Sequence, residues 1–174
     1  KRKDYMRGAY SKYWMNARTE TYGVMDYDLS LIELIDNTLN SDKERLLLDV
    51  GIGTGYPIAS SLAAINYDIS GIDISSRLIK KCLEDNPDIH AEVGDAENMN
   101  YEADSFDLVY CFHSSWLMPD FLKALSSMFR VTRENGFILI DIMNINNQGI
   151  NKIYQQHIFE NNNVVGKLFK TLKN

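Results

Sequence analysis

The chain has 174 residues, 45% of them hydrophobic, and a formal net charge of −6. That length suits one domain with an ordinary core, and the negative balance disfavours a large nucleic-acid footprint, which needs clustered Lys and Arg. The two cysteines, Cys82 and Cys111, have neither disulfide-framework nor metal-ligand spacing, and no apolar run is long enough to span a bilayer, so a reduced, cytoplasmic setting without a bound metal is expected.

Lys1-Arg2-Lys3 reads as a solvated basic tail. Tyr10, Tyr13, Trp14 and Ala17 then recur at i, i+3, i+4, i+7, the spacing of one helix face. Such a face either packs permanently on the domain or serves as a lid over a cleft. Ser30-Leu31-Ile32-Glu33 matches a capping box and predicts a helix from there to Asn40-Ser41. Leu46 to Val50 is an apolar run of the kind a parallel strand shows when both its faces are covered. Gly51, Gly53 and Gly55 follow, then a helix with Pro57 in its first turn.

A second strand spans 68–72 and ends at Asp73. Ser75 or Ser76 caps the next helix, which Asn86-Pro87 stops. Strands over 89–93 and 106–112 follow, with Gly94-Asp95 after the first of them. A helix from Pro119 or Asp120 reaches Phe129, Asn135-Gly136 makes a turn, and 137–142 is the fifth strand. Beyond it, Ile150, Ile153, Tyr154, His157 and Ile158 form a helical stripe, and 164–169 is a short strand or a helix start. Strands alternating with helices predict an α/β fold with a doubly wound, mainly parallel sheet. Residues 1–28 form a helical lid segment and 29–174 a single domain.

The glycine loop invites a dinucleotide reading. That fingerprint is G-x-G-x-x-G, and counted from Gly51 its third glycine falls on Tyr56. A diphosphate therefore has a poor seat. Asp73 lies 22 residues after Gly51, a distance suited to a carboxylate that grips ribose hydroxyls.

Five segments occur in order: D-V-G-I-G-T-G (49–55), G-I-D-I-S (71–75), V-G-D-A-E (93–97), F-D-L-V-Y-C-F-H (106–113) and R-V-T-R-E-N-G-F-I-L-I-D (130–141). Together they resemble a class I S-adenosylmethionine-dependent methyltransferase, over about residues 29–142. The resemblance implies a Rossmann-like fold and S-adenosylmethionine as cofactor, with S-adenosylhomocysteine as product. It implies that Asp73 takes the ribose, Ile74 contacts the adenine, Asp95 accepts from the adenine amino group, and the Ala96 N–H meets a ring nitrogen. Gly51, Gly53 and Gly55 bring backbone close to the cofactor, and Cys111, at the end of strand four, joins the cofactor contacts. Asp49 either meets the methionine ammonium group or orients the glycine loop.

His113 follows strand four, where acceptor and methyl group meet in this family. It is a candidate base, since an unperturbed imidazole titrates near neutrality, or a wall residue beside the cofactor. Tyr10, Tyr13 and Trp14 are the lid or substrate candidates. Arg18 is a candidate partner of the methionine carboxylate, or a surface arginine. Trp116, Phe112 and Met118 read as packing residues.

No Asp-Pro-Pro-Tyr motif follows strand four, no Pro-Cys pair occurs, and strand four does not end in an acidic residue. These absences disfavour nucleic-acid bases and magnesium-dependent catechol chemistry, and leave direct, metal-free, in-line transfer to a small-molecule acceptor. The alternatives are an NAD-dependent oxidoreductase and a non-catalytic cofactor-binding or scaffold domain. The family normally closes its sheet with an antiparallel hairpin after strand five. A sheet left open there needs a missing C-terminal segment or a second copy in a homodimer to cover its edge.

Overall fold

A computed structural model describes residues 1–142. The stripe at 150–158, the short element at 164–169 and the presence or absence of a closing hairpin lie outside the described residues. The strands are β1 (Leu46–Val50), β2 (Asp68–Asp73), β3 (His90–Val93), β4 (Phe106–Cys111) and β5 (Thr132–Ile140). They form one sheet in the order β3-β2-β1-β4-β5, and every neighbouring pair is parallel. The helices are α1 (Arg2–Tyr5), α2 (Ser11–Asn16), α3 (Asp26–Thr38), α4 (Ile58–Ala64), α5 (Ser76–Asp85) and α6 (Phe121–Val131). This is the doubly wound, parallel α/β fold that the alternating pattern predicts. Among the described residues no helix is long and apolar enough to cross a membrane.

The apolar runs are explained by burial on both sides. Leu47 of β1 joins Leu108 and Tyr110 of β4 in a core roofed by α3, α4 and α5. Leu48 and Val50 turn the other way, to Val109 and Cys111, under Ala124, Met128 and Val131 of α6. Leu47, Leu48, Ile69 and Leu108 are wholly buried; each such side chain contributes about 1.5–3 kcal/mol relative to exposure. Caps fix where the helices begin. Ser75 Oγ accepts the Leu78 N–H at 3.3 Å ahead of α5, and Asp120 Oδ1 accepts the Lys123 N–H at 3.0 Å ahead of α6.

Two elements differ from the sequence expectation. Helix α3 starts at Asp26 rather than at Ser30, because the Asp28 carboxylate accepts the Met25 N–H at 2.8 Å and sets the helix start there. Ser30 instead donates its hydroxyl to the Asp26 carbonyl, at 3.0 Å, and α3 runs across the division at 28/29. Strand β5 begins at Thr132, ahead of the Asn135-Gly136 turn. Its register shifts so that Phe106 pairs with Thr132 while Leu108 pairs with Phe137. Asn135, at φ +62°, takes up the extra length as a bulge inside the strand.

The N-terminal segment is helical but not uniformly α. Wider π-helical turns at Met6–Tyr10 and Ala17–Tyr22 flank α2, and Gly23, at φ +62°, ends the run.

Candidate active site

The chain leaves β1 to build β2 and β3 on one side, then returns to place β4 on the other. Ligands of open α/β sheets bind at the carboxyl ends of the strands at such a reversal. A cavity of about 340 Å³ opens there, within the range of small-molecule sites. One side is made by strand-end loops and the other by the N-terminal helical segment.

The strand side is set by backbone. Gly51 has φ +86°, and a Cβ there would come within 2.3 Å of Ser114 Oγ. Glycine is therefore required on both conformational and steric grounds. Ser114 is pinned in turn by its hydrogen bond to the Val50 carbonyl, at 3.0 Å. Gly53, at φ +59°, has nothing within 4 Å of the place a Cβ would take, so the loop presents an open backbone edge to the cavity. Its N–H donates to Asp73 Oδ2 at 3.1 Å, and the Ser75 N–H donates to Oδ1 at 2.8 Å. Asp73 thus ties the glycine loop to the end of β2. Ile74, Asp95 and Ala96 continue the lining toward β3. This open edge beside a row of strand-end polar groups fits an adenosyl cofactor.

Burial pushes the Asp73 carboxyl up to about 6 against the pull of its two backbone N–H donors. Asp49 lies deeper. Burial pushes it up to about 8, opposed by the Tyr110 hydroxyl and reinforced by the charge of Asp73. The two strands place Asp49 beside Tyr110. That buried hydroxyl is near enough to act on Asp49 yet has no partner at hydrogen-bond distance.

The helical side is set by side chains. Lys3, Met6, Tyr10, Trp14, Arg18 and Tyr22 all line the cavity. After Lys3 they follow at intervals of four. In a regular α-helix that step drifts by about 40° each time, so the π turns keep these residues on one face. The Lys3 ammonium lies 2.6 Å from both Asp95 Oδ2 and Glu97 Oε2, and Arg2 donates to the Trp116 carbonyl. The basic N-terminus is thus bound to the domain and is not the solvated tail its composition suggests. Burial would raise the Asp95 carboxyl, but the hydrogen bonds from Lys3 and the Glu97 N–H hold it below the usual carboxylate range.

At the other end of the cavity an alternating set of basic and acidic side chains joins four parts of the chain. Arg18 Nη2 meets Asp28 Oδ2 at 2.6 Å, and Asp28 Oδ1 meets His113 Nε2 at 2.9 Å. His113 Nδ1 lies 3.3 Å from Asp141 Oδ2, and the His113 backbone N–H donates to both Asp141 oxygens, at 2.9 and 3.0 Å. Asp28 is wholly buried and Asp141 nearly so. His113 has φ +57°, an uncommon value outside glycine, and Asp141 holds it there.

Every candidate residue named from the sequence lines the cavity except two. Tyr13 is exposed and its hydroxyl meets that of Tyr22 at 3.0 Å; the π turns rotate it off the cavity face. Cys111 is wholly buried, with Sγ 3.2 Å from Ser114 Oγ; strand alternation turns it into the α6 core instead. Phe112, Trp116 and Met118, read as packing residues, also line the cavity. Lys3, Asp28 and Asp141 escaped sequence reasoning. Asp28 and Asp141 carry local signals, a helix start and a strand end, whereas nothing near Lys3 announces carboxylates more than 90 positions away.

The sequence pattern of the methyltransferase domain matches residues 48–140, more than half of the chain. A demethylmenaquinone methyltransferase of Staphylococcus haemolyticus is 35% identical over 97 residues, 53% of this chain and 41% of that protein. A phthiotriol/phenolphthiotriol dimycocerosates methyltransferase of Mycobacterium ulcerans is 32% identical over 102 residues, 57% of this chain and 37% of that protein. The chain thus spans about two fifths of the length of these curated relatives. The crystal structure of a TehB-like S-adenosylmethionine-dependent methyltransferase from Corynebacterium glutamicum shares the fold, with a TM-score of 0.63 and 22% identity, covering 87% of this chain and 80% of that one. The match runs from within β1 to the end of β5, through the strand ends that build the cavity, and on that ground the chain belongs to the methyltransferase-domain family, in its class I S-adenosylmethionine-dependent form.

Proposed function

We propose that this domain binds S-adenosylmethionine and methylates a small-molecule acceptor, releasing S-adenosylhomocysteine. The observation that carries the reading is Asp73 tethering the open backbone edge of Gly53 at the mouth of the cavity. When bound, the cofactor supplies an activated methyl group on a sulfonium, open to in-line displacement. Asp73 accepts from the ribose hydroxyls and Ile74 packs on the adenine. Asp95 and the Ala96 N–H read its edge. Asp49, ionised by the approach of the methionine ammonium group, pairs with it. The protein's contribution to rate is then mainly orientation, worth up to ~7–11 kcal/mol in favourable systems.

Of the two roles open to His113, we favour positioning. Both ring nitrogens face the protein's own carboxylates, and the ring so engaged holds the wall after β4 in place. Arg18, committed to Asp28, secures the helical side in the same way. The outer edge of β5 pairs with nothing among the described residues, and a following segment or a second copy is proposed to cover it.

Titration calorimetry with S-adenosylmethionine, S-adenosylhomocysteine and NAD tests the reading. Heat from both adenosyl compounds and none from NAD is expected. Tight NAD binding with silence toward the other two would move the domain to the oxidoreductases.

A further inference from the structure

The cavity combines an aromatic wall with charges that are already paired. Trp14 packs between Tyr10 and Tyr22, each ring centroid 5.8 Å from its own, and Met25, Trp116 and Met118 add further apolar lining. Apart from Asp49, which the methyl-transfer reading pairs with the cofactor's ammonium group, the ionisable groups on the cavity surface are committed elsewhere. Lys3 is shared by Asp95 and Glu97, and Glu97 also accepts the Asp120 N–H at 3.0 Å. Arg18 is held by Asp28, and His113 by Asp28 and Asp141. Asp73 accepts two backbone N–H groups.

A charged acceptor entering this space would shed its water and find each opposite charge taken, a desolvation cost with nothing to offset it. A cation is attracted by aromatic faces, but the carboxylates that would replace its lost water, Asp73, Asp95 and Glu97, already have donors. A neutral ring gains from burial and from stacking on tyrosine and tryptophan.

Resting on the methyl-transfer reading, we propose that the acceptor is a neutral, largely apolar molecule with a flat ring system, bound against the Tyr10–Trp14–Tyr22 wall, and that Trp14 determines this specificity. The N-terminal helix then selects the acceptor as well as covering the site.

The test uses the 174-residue chain saturated with S-adenosylhomocysteine and titrated at pH 7 with three probes of one ring size: 2-naphthol, 2-naphthoate and 2-naphthylmethylammonium. The neutral probe should bind at least tenfold more tightly than either ion. Trp14→Ala should weaken it about tenfold, while Trp14→Phe, which keeps a ring face, should recover most of the loss. Circular dichroism checks that each variant folds, and Tyr10→Ala serves if Trp14→Ala does not. An ion binding as tightly as the neutral probe, or wall variants that bind 2-naphthol like wild type, overturns the proposal. Failure of S-adenosylhomocysteine itself to bind would instead defeat the methyl-transfer reading, and the same three probes on the free chain would still decide the preference for neutral rings.

Discussion

The two sides of the cavity are held by different physics. The strand side depends on backbone: glycines at positive φ, strand ends in register, and a carboxylate that ties the loop to its neighbour. The helical side depends on long side chains, Lys3 reaching across the sequence to Asp95 and Glu97 at one end and Arg18 reaching the nearby Asp28 at the other. A backbone-built wall tolerates almost no substitution and moves little. A wall strapped on by ion pairs can be loosened one pair at a time. Under the proposed function, the difference would separate a rigid cofactor seat from an adjustable cover.

The contrast can be broken most severely at Asp28. Asp28→Ala leaves Arg18 and His113 without their shared buried partner, and loss of one member of such a set costs about 3–5 kcal/mol; urea denaturation reads it directly. On the strand side, Gly51→Ala combines left-handed strain of about 1–2 kcal/mol with overpacking of about 1–3 kcal/mol against Ser114. Gly53→Ala, which meets open space, should cost the strain alone. Equal losses at the two glycines would show that Ser114 yields and that the backbone wall is softer than described.

Asp73→Ala should weaken S-adenosylhomocysteine by about 1.5–3 kcal/mol, the scale of hydrogen bonds to a charged group. Wild-type affinity would remove Asp73 from the ribose. A smaller effect follows from pH. Ribose donors favour the ionised form of Asp73, whose carboxyl is pushed up to about 6, so affinity should fall as pH drops through that value. Pairing with an ammonium group likewise favours ionised Asp49, which is mostly protonated below about 8 in the free protein. Affinity should therefore rise toward pH 8, by up to about 1.4 kcal/mol per pH unit, and binding at pH 7 should release protons. Calorimetry in buffers of different ionisation enthalpy measures that release, and identical heats in all of them would contradict the Asp49 role.

The smallest effect belongs to the partly exposed Lys3 strap. Lys3→Met should cost only about 0.2–1 kcal/mol, yet hydrogen exchange over residues 2–22 should rise while the sheet is unaffected. S-adenosylhomocysteine should add protection over the same residues in wild type. Unchanged exchange in both experiments would make the segment a permanent wall.

What was legible in the sequence follows the same division. Asp49, the glycines, Asp73 and Asp95 sit at ends of apolar runs, so local pattern alone carried them to the cavity. Cys111 sits at such an end too, but the period of two turns it into the α6 core. Tyr13 falls on the cavity face only under a strict α period, and the π turns on either side of α2 move it off. The Ser30 helix start gave way to Asp28, whose carboxylate reaches back to Met25. The pairing of His113 with Asp28 and Asp141 was out of reach, since they lie 85 and 28 positions away and no local pattern joins them.

Those separations also bear on the order in which the molecule is made. Arg18 and Asp28 leave the ribosome early, but Asp141 follows the last residue of β5. The helical segment is synthesised before the strands, and its link through Asp28 to His113 and Asp141 can close only after β5 is made, because contacts between distant positions wait for the chain between them to close. Until then its aromatic face has no seat, and exposed apolar surface of this kind is where nascent chains associate wrongly. The Arg18–Asp28–His113–Asp141 set is therefore complete only in a chain that has been made through β5.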